Sequence, residues 1–234
     1  MKIGIMQPYF FPYIGYFQLL NMVDKYVVYD NGLFAKNKWA FRNQILCNGE
    51  PSFFRVSLLK ASQYQRFNQV RISNDIETKK TKIRTLECCY GKAPHFSEVM
   101  PMLEQFVLAD YDNLSDCNVA SIRLVCSYLD IRTEILISSE LNYDKSLKRQ
   151  YCIFDICKLL GGNEYINSIG GTKLYDFQEF KKNGIELVFL KPDEIVYHQF
   201  SEEFISNLSI IDVMMFNSIP EIQDMLNRYT LIKS

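Results

Sequence analysis

The residues best suited to chemistry begin at Met6-Gln7-Pro8-Tyr9-Phe10-Phe11-Pro12-Tyr13-Ile14-Gly15-Tyr16-Phe17, between an apolar start and the helical-looking Gln18 to Val23. This order predicts a strand, a rigid loop and a helix. Pro8 and Pro12 stiffen the loop, while Gly15 permits close backbone approach where the helix opens. Free amides at such a helix start, at the carboxyl end of a strand, suit a phosphate or carboxylate. Gln7, Gly15 and Tyr16 are therefore anion-binding candidates, and Tyr9 a substrate contact. The bland alternative is a buried aromatic turn.

A second set follows Lys25 to Asp30, which reads as a parallel strand carrying Asp30 at its carboxyl end, facing the crevice of Gly15. A carboxylate there could take a proton from an attacking amine or hold a ribose hydroxyl, though Asp30 also suits a simple turn before Asn31-Gly32. Lys36, Lys38, Trp39, Arg42 and Asn43 are expected to alternate along an extended segment. Lys36 and Arg42 would then stabilise phosphate or oxyanion charge, and Trp39 with Asn43 would offer a platform and an amide to a sugar or base. A solvated hairpin face is the competing reading for the lysines. His198, followed by Gln199, is the general base by residue type. Asp212 and Asn217 lie on a strongly apolar helix. A carboxylate in such surroundings needs a partner, so Asp212 is either a cap near Ser209 or a positioned site residue. His95, after Pro94, suits a helix start. Cys88-Cys89 has no neighbouring histidine to activate a nucleophile.

These groups need a scaffold, and the chain reads as alternating strands and helices. Asn48-Gly49 between Trp39 to Leu46 and Ser52 to Leu59 predicts an antiparallel hairpin. An extended piece at Val70 to Ile72 leads into helices from about Asp75 to Asp130, broken at Gly91 to Pro94. Leu114, Cys117, Ala120, Ile122, Val125 and Leu129 approximate one apolar face. Strands at Thr133 to Ile137, Glu164 to Asn167 and Ile185 to Leu190 then alternate with helices at Ser146 to Leu160 and Tyr175 to Lys182. The expected fold is a single α/β domain over 1–234, with a mostly parallel Rossmann-like sheet and helices on both faces. The hairpin and helical region form an insertion at about 34–130.

Composition narrows the function. The 234 residues carry 26 basic and 27 acidic side chains, with no basic cluster interleaved with aromatics, which argues against nucleic acid as a partner. No apolar run has membrane-spanning length and no signal-peptide pattern opens the chain, so membrane insertion is not expected and a cytoplasmic location is. The seven cysteines form no CxxC pair and read as free thiols in a reducing compartment. With only two histidines, far apart, no metal site is assigned.

The N-terminal loop, Asp24 to Asp30, Phe34 to Trp39 with Arg42-Asn43, Lys92 to Phe96, and Leu208 to Asp212 together resemble the WbqC-like family nearly end to end. Members of that family are typically encoded with enzymes of bacterial surface-polysaccharide (O-antigen) biosynthesis. The resemblance implies work on a nucleotide-linked amino sugar, with an amino acid or other acyl donor acylating its amino group. A more distant resemblance is to the nucleotidyltransferase-like superfamily that includes pantothenate synthetase. There a Gly-His pair opens the first helix and the histidine serves the phosphates of ATP. Gly15-Tyr16 stands in its place, which weighs against adenylation and leaves phosphate binding. Ser168-Ile169-Gly170-Gly171-Thr172-Lys173 is similar to that superfamily's second phosphate loop. Ser168, Gly171, Thr172 and Lys173 are thus candidates for holding ATP with magnesium. The alternatives are a thioester-dependent N-acyltransferase and a non-catalytic nucleotide-sugar-binding accessory protein.

Overall fold

The computed structural model describes residues 1–34 and 38–233, with only the backbone at Lys38. Lys36, a predicted charge stabiliser, lies outside the described residues.

Strand β1 (Lys2–Met6) leads through the proline loop to helix α1 (Ile14–Met22) and β2 (Lys25–Val28). The insertion then supplies the hairpin β3 (Arg42–Cys47) and β4 (Glu50–Arg55), followed by α2 (Ile76–Tyr90), α3 (Phe96–Leu108) and α4 (Leu114–Tyr128). The chain returns to the main sheet at β5 (Glu134–Ile137). It continues through α5 (Gln150–Leu160), β6 (Glu164–Ser168), α6 (Phe177–Lys182) and β7 (Glu186–Pro192). Helices α7 (Ile210–Phe216) and α8 (Ile219–Met225) precede the last strand, β8 (Tyr229–Lys233).

The six-stranded sheet runs β5-β2-β1-β6-β7-β8 and is parallel except for β8. Alternate side chains bury both faces. Ile3, Ile5, Tyr165 and Phe189 pack under α5 and α6, whereas Tyr26, Val28, Ile166 and Leu190 join the larger core of α1, the insertion, α7 and α8. The predicted α/β fold, with hairpin and helices inserted between β2 and β5, is the observed one. Asn48 and Gly49 turn the hairpin with φ of 52° and 79°, which Asn and Gly tolerate.

Three local readings change and one strand is added. Lys38–Ala40 is a single 3-10 turn, so Lys38 and Trp39 do not alternate along a strand with Arg42 and Asn43. Helix α5 begins at Gln150 rather than Ser146, because Arg149 adopts φ 55° and cannot continue a helix backwards. β8 lacks an apolar alternation to announce it, since most of its side chains are exposed on a sheet edge. Cys47 and Cys89, expected as free thiols, form a disulfide; the other five cysteines are free. The Tyr90 hydroxyl accepts from the Leu46 amide at 2.9 Å and so holds the end of β3 against the end of α2. That docking brings the two cysteine Cα atoms to 4.6 Å, within disulfide reach.

Candidate functional site

Strand order reverses between β1 and β6: the chain builds outward through β2 to β5, then crosses back to β6 on the other side of β1. A crevice opens at such a switch point, beyond the strands' carboxyl ends. Here it holds a cavity of about 730 Å³ lined by Gln7, Tyr9, Tyr29, Arg149, Asn167, Ser168, Gly170, Gly171 and Lys173, among others. A second cavity of about 380 Å³ shares Met6, Tyr9 and Ser168 with the first and extends past Gly15 and Tyr16 to Trp39, Asn43 and Gln44. Tyr9 and Ser168 thus stand on the boundary between two adjoining compartments.

The proline loop forms much of this boundary and is fastened from distant parts of the chain. Asn43 Nδ2 donates to the Phe11 carbonyl at 2.6 Å, and Asn118 Nδ2 donates to Pro8 O at 3.0 Å and Ala40 O at 2.7 Å. Ser209 Oγ donates to Phe11 O at 2.8 Å and the Ile210 amide to Pro12 O at 3.0 Å. Tyr16 donates to Gln7 O at 3.1 Å. Phe11, fully buried, adopts φ 39°, a conformation costly for a bulky side chain that persists only where the surroundings impose it.

Across the crevice, Asn167 arranges the floor of the larger cavity. Its Nδ2 lies 2.6 Å from both the Tyr165 and the Tyr175 hydroxyl, while its Oδ1 accepts from the Ser168 amide at 2.6 Å. Burial raises the pKa of Tyr165, Tyr175 and Tyr29, and that of the Cys152 thiol, so these groups stay protonated near neutrality. Positive charge comes from Lys173 and Arg149, neither of which forms an ion pair among the described residues. Arg149 has φ 55° and ψ −133°, an uncommon backbone state of the kind that clusters at functional sites. No composition or periodicity signal marked it; only its strained position before α5 does.

Several anticipated residues meet here: Gln7, Tyr9, Ser168, Gly171 and Lys173 line the larger cavity, and Gly15, Tyr16, Trp39 and Asn43 the smaller. Their settings correct some expected roles. The close approach allowed by Gly15 is used by the protein itself, because a Cβ there would meet the Tyr13 hydroxyl oxygen at 2.7 Å. Asn43 is 4% exposed, with Nδ2 on Phe11 O and Oδ1 accepting from the Gln44 amide, so it clamps the loop rather than contacting substrate. Thr172 is absent from the lining of either cavity.

Asp30 does not face the crevice. It is 2% exposed and accepts from Ser138 Oγ, the Ser139 amide, Ser139 Oγ and Asn68 Nδ2 at 2.7–3.0 Å. With its lone pairs so committed, it anchors the turn after β5; its neighbour Tyr29 lines the cavity instead. His198 is exposed beside Phe216 at 6.4 Å between ring centroids and borders neither cavity. Gln199 and Asp212 belong to a buried cluster: Asp212 accepts from Tyr90 Oη at 2.9 Å, Tyr197 Oη at 2.7 Å and Gln199 Nε2 at 2.8 Å. Asn217 closes α7 by donating to Val213 O. Arg42 stacks on Phe53 of the hairpin.

A Rossmann-like α/β protein with a two-compartment crevice at its switch point is the class these features define. The WbqC-like protein family model matches residues 7–224, and the chain belongs to that family. Uncharacterized protein Rv1507c of Mycobacterium tuberculosis (strain ATCC 25618 / H37Rv) is 26% identical over 227 residues, covering 96% of this chain and 97% of that protein. No solved structure matches. Among the described residues no helix is long and apolar enough to cross a membrane.

Proposed function

We propose that this chain is an enzyme of bacterial surface-polysaccharide biosynthesis that joins an amino acid or other acyl group to the amino group of a nucleotide-linked sugar. The observation that carries the reading is the 730 Å³ cavity at the β1/β6 switch point, where Arg149, Lys173 and the Gly170-Gly171 backbone face one space. Two cations and an approachable main chain suit a diphosphate. The adjoining compartment, walled by Trp39, Tyr13 and Tyr16, suits the sugar or the acyl donor.

No Asp, Glu or His lines either cavity among the described residues. The amine proton would therefore pass to water or to a substrate phosphate, and the protein would act by positioning and by stabilising oxyanion charge through Lys173 and Arg149. Such a site needs an activated acyl donor, either formed with ATP or supplied as a thioester. Lys173 and Arg149 fit ATP's phosphates. No group of three or more His, Cys, Asp or Glu converges among the described residues, so magnesium would ride chiefly on phosphate oxygens. The same lack of an acid or base at the cavities favours, as a second reading, an accessory protein that holds the nucleotide sugar without turnover.

The test incubates the protein with ATP, glycine and a dTDP-linked amino sugar while AMP and pyrophosphate are followed. Release only with all three supports ligation, product without ATP from an acyl thioester supports thioester transfer, and binding without product supports the accessory role. Gly170→Val is the companion variant: a Cβ there meets only Ser168 Oγ at 4.0 Å, so the fold accepts it while the cavity narrows. Nucleotide-sugar affinity should fall at least tenfold. Unchanged affinity would remove this loop from the site.

A further inference from the structure

The hairpin carries two guanidinium groups around one ring. Arg42 and Arg55 are direct cross-strand partners, as are Gln44 and Phe53. Directly paired residues, and residues two apart on one strand, share a face. Arg42, Gln44, Phe53 and Arg55 therefore occupy the same side of the hairpin. Arg42 Cζ lies 4.1 Å and Arg55 Cζ 5.2 Å from the centroid of Phe53, which is 39% exposed. Gln44 of the same side lines the smaller cavity together with Trp39.

Like charges directly opposite across a strand pair are unfavourable, and among the described residues no carboxylate pairs with either. Neither guanidinium enters an ion pair or a hydrogen bond with a described residue, and Arg42 Nε is buried without a hydrogen-bond partner. Phe53 holds both cations by its ring face while leaving their N–H edges unspent. Paired guanidinium forks with no carboxylate between them match an oxyanion that offers two or more oxygens.

We propose that Arg42 and Arg55, stacked on Phe53 on the hairpin side that carries Gln44, form a second anion site. It takes a phosphate or carboxylate group of the co-substrate that enters beside the nucleotide sugar. The assignment to a co-substrate rests on the function proposed above; the binding of the anion does not. The site is separate from Lys173 and Arg149, which line the other compartment.

Trp39 is the single tryptophan of the chain and lines the smaller cavity with Gln44, the cross-strand partner of Phe53, so its emission is the nearest intrinsic reporter for this side of the hairpin. The experiment titrates the full chain with inorganic phosphate and, separately, with malonate, following Trp39 fluorescence and heat. Arg42→Gln and Arg55→Gln should each weaken anion binding at least tenfold, and Lys173→Ala should leave the Trp39-detected binding within twofold. Arg55 is exposed, so Arg55→Gln remains a valid test even if Arg42→Gln melts early. Arginine-dependent binding of phosphate alone assigns a phosphorylated co-substrate, and of malonate alone a carboxylate one; both outcomes support the site. Anion binding that ignores both arginine variants, or no change in Trp39 emission with either anion, overturns it. Failure of the nucleotide-sugar reading shows separately, as nucleotide-sugar affinity that Lys173→Ala leaves unchanged.

Discussion

Asp212 is the residue whose chemistry the sequence half discloses. A carboxylate on an apolar helix must be partnered, and it is, by Tyr90, Tyr197 and Gln199. Tyr90 comes from α2, 122 residues away, while Tyr197 and Gln199 come from the loop 15 and 13 residues before it, so no helical periodicity could separate a structural cluster from a substrate site. Asp30 shares this history, its four donors lying on Asn68, Ser138 and Ser139. Burial is the dominant effect on Asp212 and raises its pKa above the ordinary 3.8, with the three donors opposing in part. The folded chain thus holds this proton more firmly than the unfolded chain does. The resulting stability is complete below about pH 4 and is lost as pH rises through the raised folded value. Asp212→Asn has no such proton, so the stability of wild type minus variant should decline across that window and level off above it. Urea unfolding at a series of pH values measures the difference. A difference that grows with pH would mean that the three hydrogen bonds outweigh burial.

Among the elements, the proline loop behaves as a fastened piece rather than a flexible connector. Its stiffness was legible in Pro8 and Pro12, and the hairpin in Asn48-Gly49, because these residues constrain their own backbone. The clamps were not legible: Asn118 and Ser121, whose Oγ accepts from the Phe11 amide at 3.4 Å, sit within α4, whose helical periodicity is apolar, and nothing local marks them as partners of positions 8–12. Asn118 is fully buried and donates to Pro8 O and Ala40 O. Asn118→Ala leaves both carbonyls without that donor, at about 1–3 kcal/mol each. The expected loss is about 2–6 kcal/mol, read from urea midpoints at constant slope, with nucleotide-sugar affinity weakened in parallel. An unaltered midpoint would show that water replaces the amide and that the loop holds its shape without it.

Across the whole molecule, the parallel sheet was legible because alternating strand and helix patterns admit few topologies, whereas β8 and the Cys47–Cys89 link depend on long-range docking. The larger hydrophobic cluster joins α1, the inserted helices, α7 and α8, and the disulfide ties the hairpin to α2 across 42 residues of sequence. Insertion and sheet should therefore unfold together. Thermal denaturation followed by Trp39 emission, which senses the hairpin side, and by far-UV circular dichroism should give coincident midpoints. Separated midpoints would make the insertion an independent unit. The grip of Ser209 and Ile210 on Phe11 and Pro12 has a further effect during synthesis. A nascent polypeptide leaving the ribosome already carries Gln7 to Gly15, yet two of that loop's fastenings, from Ser209 and Ile210, form only after the final quarter has emerged. The binding crevice is then completed last, and a prematurely terminated product would keep most of the sheet but lack a formed receptor.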